Sequence, residues 1–170
     1  MKRFVQNLLT VTLVAAMPLS VMAEQMAAPT GTAVLTVTGN IDSTNADNAL
    51  VLDRELLATL PVTTFETSTI WTDGVHSFTG VSLADLAAEL GVEDGHFLAT
   101  AINDYTVEIP VSDAVEGGPI IAYLMDGEEM SVRDKGPLWV IYPYDSNAAY
   151  RTEVVYSRSI WQLDRLDIVE

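Results

Sequence analysis

The chain of 170 residues sets 24 acidic residues against eight Lys and Arg, for a formal charge of −16, and contains no cysteine. So acidic a protein excludes nucleic acids and anionic membranes as partners, since both are bound through basic patches. The missing thiol excludes cysteine nucleophiles and thiolate metal sites, and two histidines, His76 and His96, are too few for a His-based metal centre without carboxylate ligands.

Residues 1–23 read as a secretory leader: Lys2 and Arg3 precede an apolar run, and Val21-Met22-Ala23 fits the small-x-small cleavage pattern. The run is shorter than the ~20 residues a membrane span requires. The expected product therefore starts at Glu24, is exported to a periplasm, and is not inserted in the membrane after cleavage. Loss of Lys2 and Arg3, with no acidic residue removed, takes the charge from −16 to −18. Residues 24–32, small and polar with Pro29 and Gly31, form a flexible N-terminal segment; residues 33–170 are long enough to bury the core of one domain.

Residues 33–38 predict a strand ending at Gly39-Asn40, and Leu50-Val51-Leu52 a second after a polar loop. Asp53 is placed to cap a helix carrying Leu56, Leu57 and Leu60 and stopped by Pro61. The β-branched run 62–70 predicts a strand leading into the turn Trp71-Thr72-Asp73-Gly74, with an extended return over 76–81. Ser82-Leu83-Ala84-Asp85 is a capping-box variant that opens a helix with Leu83, Leu86, Ala87 and Leu90 on one face, and Gly91 closes it. Strands follow over 97–102 and 105–109 around the turn Asn103-Asp104, then a short helix or turn over 111–116 and a strand over 119–125 turned by Asp126-Gly127. After an apolar strand that holds Trp139, Val154 to Tyr156 read as a further strand and Trp161 begins the last one. Many short strands with two brief helices and no regular βα alternation predict an α+β fold of mixed, mainly antiparallel sheets with a few short helices.

Beyond the leader six basic residues remain, Arg54, Arg133, Lys135, Arg151, Arg158 and Arg165, and five of them lie from position 133 onward. Two readings fit this gathering: a pocket for an anionic or carbonyl-rich ligand, or relief of acidic neighbours on a repulsive surface.

Taken in order, Thr36-Val37-Thr38-Gly39, the Leu56-Leu57 helix, Thr63-Thr64-Phe65-Glu66-Thr67, the run from Phe78-Thr79-Gly80-Val81 into Ser82-Leu83-Ala84-Asp85-Leu86, Asn103-Asp104-Tyr105, Gly136-Pro137-Leu138 and Ser157-Arg158-Ser159-Ile160-Trp161 resemble the molybdopterin-binding domain of the sulfite-oxidase family. The resemblance spans nearly all of the chain beyond the leader and implies a sulfite-oxidase-like fold. Family enzymes carry, at the position of Thr67, a cysteine whose thiolate holds molybdenum. A hydroxyl is a poor replacement for that soft ligand, so the resemblance argues against oxotransferase chemistry and implies no metal. The segments 133–145 and 158–163 look like a smaller, cysteine-free branch known for periplasmic pterin-responsive regulators (PruR-like). Members bind a simple pterin and dock on the periplasmic domain of an inner-membrane diguanylate cyclase/phosphodiesterase, shifting it toward cyclic di-GMP degradation and less biofilm. Two other readings stay open: a molybdopterin oxidoreductase with a non-cysteine ligand, and a structural subunit of a larger periplasmic oxidoreductase.

A pterin pocket needs a stacking face and hydrogen-bond partners along the heterocycle's edge. Trp71, Tyr144 and Trp161 are candidates for the first, whereas Trp139, inside an apolar strand, reads as core. Asn103 and Asp104 with the adjoining Tyr105 are candidates for the second, although Asn-Asp pairs are also ordinary turn residues. Arg133, Lys135 and Arg158 are candidate donors to a carbonyl or phosphate, and Thr67 marks the family's ligand position. His76 and His96 are placed in exposed turns without a role. Glu66 beside Thr67, and Ser157 beside Arg158, lack the third group that would activate a hydroxyl for hydrolysis.

Overall fold

The computed structural model describes residues 26–170; the expected leader, 1–23, lies outside them. Two five-stranded sheets enclose the core. In the first, β1 (Leu35–Gly39) lies between β2 (Leu50–Leu52) and β10 (Leu163–Val169), followed by β5 (His96–Ala101) and β6 (Thr106–Pro110). The β1–β10 pair is parallel and joins opposite ends of the domain, with Thr36 opposite Arg165; all other pairs are antiparallel. In the second sheet β3 (Val62–Ser68), β4 (Val75–Ser82) and β7 (Ile120–Met125) run side by side. The free edge of β7 then pairs with β8 (Glu128–Glu129) and β9 (Trp139–Ile141) in succession. The α+β fold with mainly antiparallel sheets and few short helices is therefore as the sequence predicts.

Alternation sets the core of the first sheet: Leu35 and Val37, Phe97 and Ala99, and Leu166 and Ile168 point inward while the residues between them face out. Helix α2 (Leu83–Leu90) lays its four predicted apolar residues, Leu83, Leu86, Ala87 and Leu90, into the core. The Ser82 hydroxyl accepts from the Asp85 N–H at 2.9 Å, and Gly91 ends the helix at φ +70°. Ser82→Ala should cost about 1 kcal/mol of stability, read as a lower midpoint in urea unfolding. Helix α1 (Arg54–Leu57) is a single turn capped by Asp53, whose other oxygen receives the N–H groups of Thr30 and Gly31. These bonds, that of Leu56 foremost, hold the Asp53 carboxyl below its ordinary value.

Three local expectations are corrected. Trp161 does not begin the last strand, which starts at Leu163; it makes an isolated bridge to Trp139 instead. Val154 to Tyr156 are not a strand: Glu153–Arg158 form helix α3, because Thr152 caps it through Val155 and Glu153 sits in its first turn. The histidines are in strands rather than turns. His96 heads β5 beside Glu108 at 3.2 Å, and His76 is the second residue of β4, where Nδ1 meets Asp126 at 2.6 Å and Nε2 meets the Asp73 carbonyl at 3.0 Å.

The bond to Asp126 raises the His76 pKa, and the same bond lowers that of Asp126. The histidine's contribution to stability is complete below its ordinary value of 6.5 and is lost as pH rises through the raised value; the aspartate's is present above 3.8 and is lost as pH falls through the lowered one. The pair therefore holds β4 to the turn after β7 most firmly between those two values. Asp126→Asn should return the His76 titration, followed by NMR, toward the ordinary midpoint; an unmoved midpoint would remove this contact from the account.

Candidate functional site

The site lies where the two sheets are tied together after α3. Trp161 bridges to Trp139 of β9, Val140 donates to the Ile160 carbonyl at 2.9 Å, and Leu163, the first residue of β10, donates to the Leu138 carbonyl at 3.0 Å. Gln162 makes the junction three-way. It adopts φ +54°, donates its N–H to the Lys135 carbonyl, accepts at its own carbonyl from the Ile102 N–H, and sends its side-chain amide to the Val132 carbonyl at 2.6 Å. The turn after β5, the turn before β9 and the approach to β10 are thus pinned to one residue.

A hollow of about 360 Å³ opens beside this junction, lined by Trp71, Asn103, Tyr105, Tyr156, Trp161 and Gln162, with Ala101, Ser157, Ser159 and Ile160 completing it. That volume is within the range of small-molecule pockets. Trp71 supplies the wall, because the Thr69 hydroxyl accepts from the N–H groups of Trp71 and Thr72, both at 3.0 Å, and so ends β3 two residues before the run 62–70 predicts. The Trp71 ring meets Trp139, Tyr156 and Trp161 edge-on at centroid distances of 5.8 Å and Tyr144 at 6.3 Å. Trp161 remains 39% exposed, leaving ring surface open to a planar ligand. Asn103 uses its side-chain oxygen on the Tyr105 N–H; among the described residues its NH2 has no acceptor and the Gln162 side-chain oxygen no donor, so both can serve a ligand.

A second hollow shares Trp71, Trp161 and Gln162 with the first and is lined as well by Arg133, Asp134 and Lys135. Trp71, Asn103, Tyr105, Trp161, Arg133 and Lys135, all singled out in the sequence, thus converge on two adjoining spaces. The other four lie elsewhere. Tyr144 is buried, with its hydroxyl 2.5 Å from that of Ser159, and burial pushes its pKa up to about 12; it supports Trp71 from behind. Arg158 turns to Asp113 at 2.8 Å. Asp104, at φ +65°, turns to Arg165 at 2.6 Å and lines a different hollow on the open face of the first sheet.

Thr67 is fully buried and its hydroxyl is engaged twice, accepting from the Asp145 N–H at 3.1 Å and donating to the Ser68 carbonyl at 3.2 Å. Asp145 itself receives the Ser68 N–H and hydroxyl and the Arg151 guanidinium, which hold its carboxyl below the ordinary range, the Ser68 N–H contributing most. A loop is therefore clamped over Thr67. Among the described residues no group of three or more His, Asp or Glu side chains is placed to hold a metal ion. The donor set does not fit a molybdenum centre: the one hydroxyl at the ligand position is hard, buried and already bonded.

Sequence reasoning did not single out Gln162 or Tyr156. Gln162 acts through a left-handed backbone that nothing in its neighbours announces, and Tyr156 reaches the pocket only because α3 is a helix. A family model described as the oxidoreductase molybdopterin binding domain matches residues 32–149. No curated protein matches the chain significantly.

Proposed function

The chain belongs to the oxidoreductase molybdopterin-binding domain family, whose members bind a pterin-type cofactor, and from that premise we propose that it is a periplasmic pterin-binding regulator rather than a molybdenum oxidoreductase. The observation that carries the reading is a contrast between two places: Thr67, which the resemblance sets at the family's ligand position, is closed in by the Asp145 loop, whereas the hollow beside Trp71 and Trp161 is open to a planar heterocycle. A simple pterin stacks on Trp161, meets the inclined Trp71 ring, at 74° to it, by its edge, and exchanges hydrogen bonds with the Asn103 amide and the Gln162 side-chain oxygen.

The output in this reading is a protein contact: the ligand-loaded chain docks on the periplasmic domain of a membrane enzyme that makes and degrades cyclic di-GMP. Support comes from exposed apolar side chains on the segments that line the pocket: Tyr105 itself, Ile70 beside Trp71, Ile102 between Ala101 and Asn103, and Val154 two residues before Tyr156, each about half exposed or more. Apolar side chains gathered around a ligand mouth suit a partner that recognises the occupied state. The strongly acidic remainder of the chain suits a partner with basic residues around that contact.

Trp161→Ala tests the ring site, since the side chain is partly exposed and its loss leaves the core in place. Neopterin affinity, followed by quenching of the remaining tryptophans, should fall about tenfold, the worth of one aromatic stacking contact. Asp104→Ala, which removes only the contact with Arg165, should leave that affinity unchanged. Equal affinities for the wild type and Trp161→Ala would displace the ligand from this pocket.

A further inference from the structure

Strand edges in this fold are mostly blunted against further pairing. β2 and β9 have three residues each, β8 is a pair of glutamates, and β6 carries Glu108 and ends on Pro110. The exception is β3, with seven residues, no Lys, Arg or Pro, and an unbroken register against β4 from Val62 opposite Val81 to Ser68 opposite Val75. Two neighbours show which of its backbone groups face outward. Ser77, opposite Glu66 on β4, turns its own N–H and carbonyl to Asp126 rather than to β3, and Ser68 donates its N–H to the Asp145 carboxylate. Backbone groups alternate along a strand, so those of Val62, Thr64 and Glu66 also point away from β4. Among the described residues none of them has a partner, and all three side chains are exposed. The Asp145 loop closes the edge beyond Glu66, which leaves Val62–Glu66 as the open stretch.

We propose that this edge is the interface of a two-fold dimer, in which β3 of a second copy pairs antiparallel with β3 about Thr64 and joins the two second sheets into one. The interface is independent of the pterin site. A dyad at Thr64 sets Val62 opposite the partner's Glu66 and Thr64 opposite the partner's Thr64, so every outward backbone group of the open stretch finds its complement. A dyad at Phe65 would need the Ser68 N–H, which Asp145 already holds, and one at Thr63 would set Glu66 opposite Leu60, outside the strand. On the inner face the half-buried Phe65 meets the partner's Thr63, and on the outer face the Thr64 hydroxyls of the two copies adjoin, both favourable cross-strand pairs. Glu66, the one charged residue of the strand, avoids its own copy: the two carboxylates lie about 13 Å apart along the strands, beyond the screening length of about 8 Å at physiological salt. What opposes the dimer is the formal charge of −16 on each full chain, a repulsion that salt weakens.

The test follows the full mature chain by sedimentation equilibrium over a range of concentrations, at physiological and high salt. The wild type should show a monomer–dimer equilibrium that tightens as salt rises. Thr64→Pro removes the N–H at the dyad, and because that N–H does not serve β4, the hairpin and the urea midpoint should survive while the dimer is lost. Val62→Lys places an ammonium opposite the partner's Glu66 twice across the dyad, and at physiological salt it should tighten the dimer about fivefold. Val115→Lys makes the same change of charge at an exposed valine outside both sheets and should not reproduce that gain. Where Thr64→Pro fails to fold, the contrast between the two lysine variants decides. A wild type that stays monomeric at every concentration and salt overturns the proposal and leaves the edge to a strand of another protein. A folded Thr64→Pro that dimerises like the wild type, or equal gains from Val62→Lys and Val115→Lys, overturns it as well by placing the dimer contact elsewhere.

Discussion

Trp71→Ala lowers the stability of the protein by about 3 kcal/mol, the lower end of what truncating a buried tryptophan costs, and abolishes pterin binding. Its half-buried ring touches Trp139, Tyr144, Tyr156 and Trp161 edge-on and is the wall common to both hollows. Each edge-to-face pair contributes about 0.5–1.5 kcal/mol beyond area burial, and truncation breaks four at once. Trp71→Phe keeps a ring in place and should retain most of the stability. Urea unfolding measures the first effect and neopterin titration the second. A variant as stable as the wild type would show that the aromatic cluster does not depend on its central member.

Asp113→Ala is the second large loss, about 3 kcal/mol, which is the cost of removing one partner from a largely buried hydrogen-bonded charge pair. One carboxylate oxygen of Asp113 receives the Tyr142 hydroxyl at 2.7 Å and Arg158 at 2.8 Å. Tyr142 is 1% exposed, and burial together with the Asp113 bond raises its pKa well above the ordinary range, so it donates throughout the working pH. Without Asp113 that hydroxyl is buried with no acceptor, and α3 loses its tie to the 3-10 turn Val111–Asp113. Because α3 carries Tyr156 and Ser157 into the pocket lining, ligand affinity should fall together with the urea midpoint. Tyr142→Phe removes only the neutral donor and should cost about 1 kcal/mol. If Asp113→Ala were no more harmful than Tyr142→Phe, the network would be a surface contact and Arg158 would be free to act elsewhere.

What was legible in the sequence was local. The cap at Ser82, the glycine at 91, the Asp53 cap, the left-handed Asp104 and the Asp126-Gly127 turn each follow from one residue's relation to its neighbours' backbone. The core role of Trp139 was legible from its apolar strand. Helix α3 was misread because Val154 and Val155 favour strands, while the decisive signal, Thr152 followed by Glu153, is a capping pattern that outweighs them once the helix packs Val155 inward.

Partners distant in sequence were not legible at all. Arg158 seeks Asp113, Arg165 seeks Asp104, and Asp145 seeks Ser68, across separations of 45, 61 and 77 positions. Charge type alone could not say which cations would be neutralised. Among the described residues that pairing leaves Arg133 and Lys135 without a carboxylate within 4.0 Å.

The account stands most directly on the small molecule that the native protein carries. The protein is purified from the exported fraction of its own host, denatured, and the released compounds are identified by fluorescence-detected chromatography and mass spectrometry, with metal content measured on the same sample. A pterin without a dithiolene group, and no stoichiometric molybdenum, is the predicted result, because Thr67 is closed within its own hydrogen bonds while the pocket beside Trp71 and Trp161 is open. A dithiolene pterin accompanied by molybdenum would contradict it and return the chain to oxidoreductase chemistry.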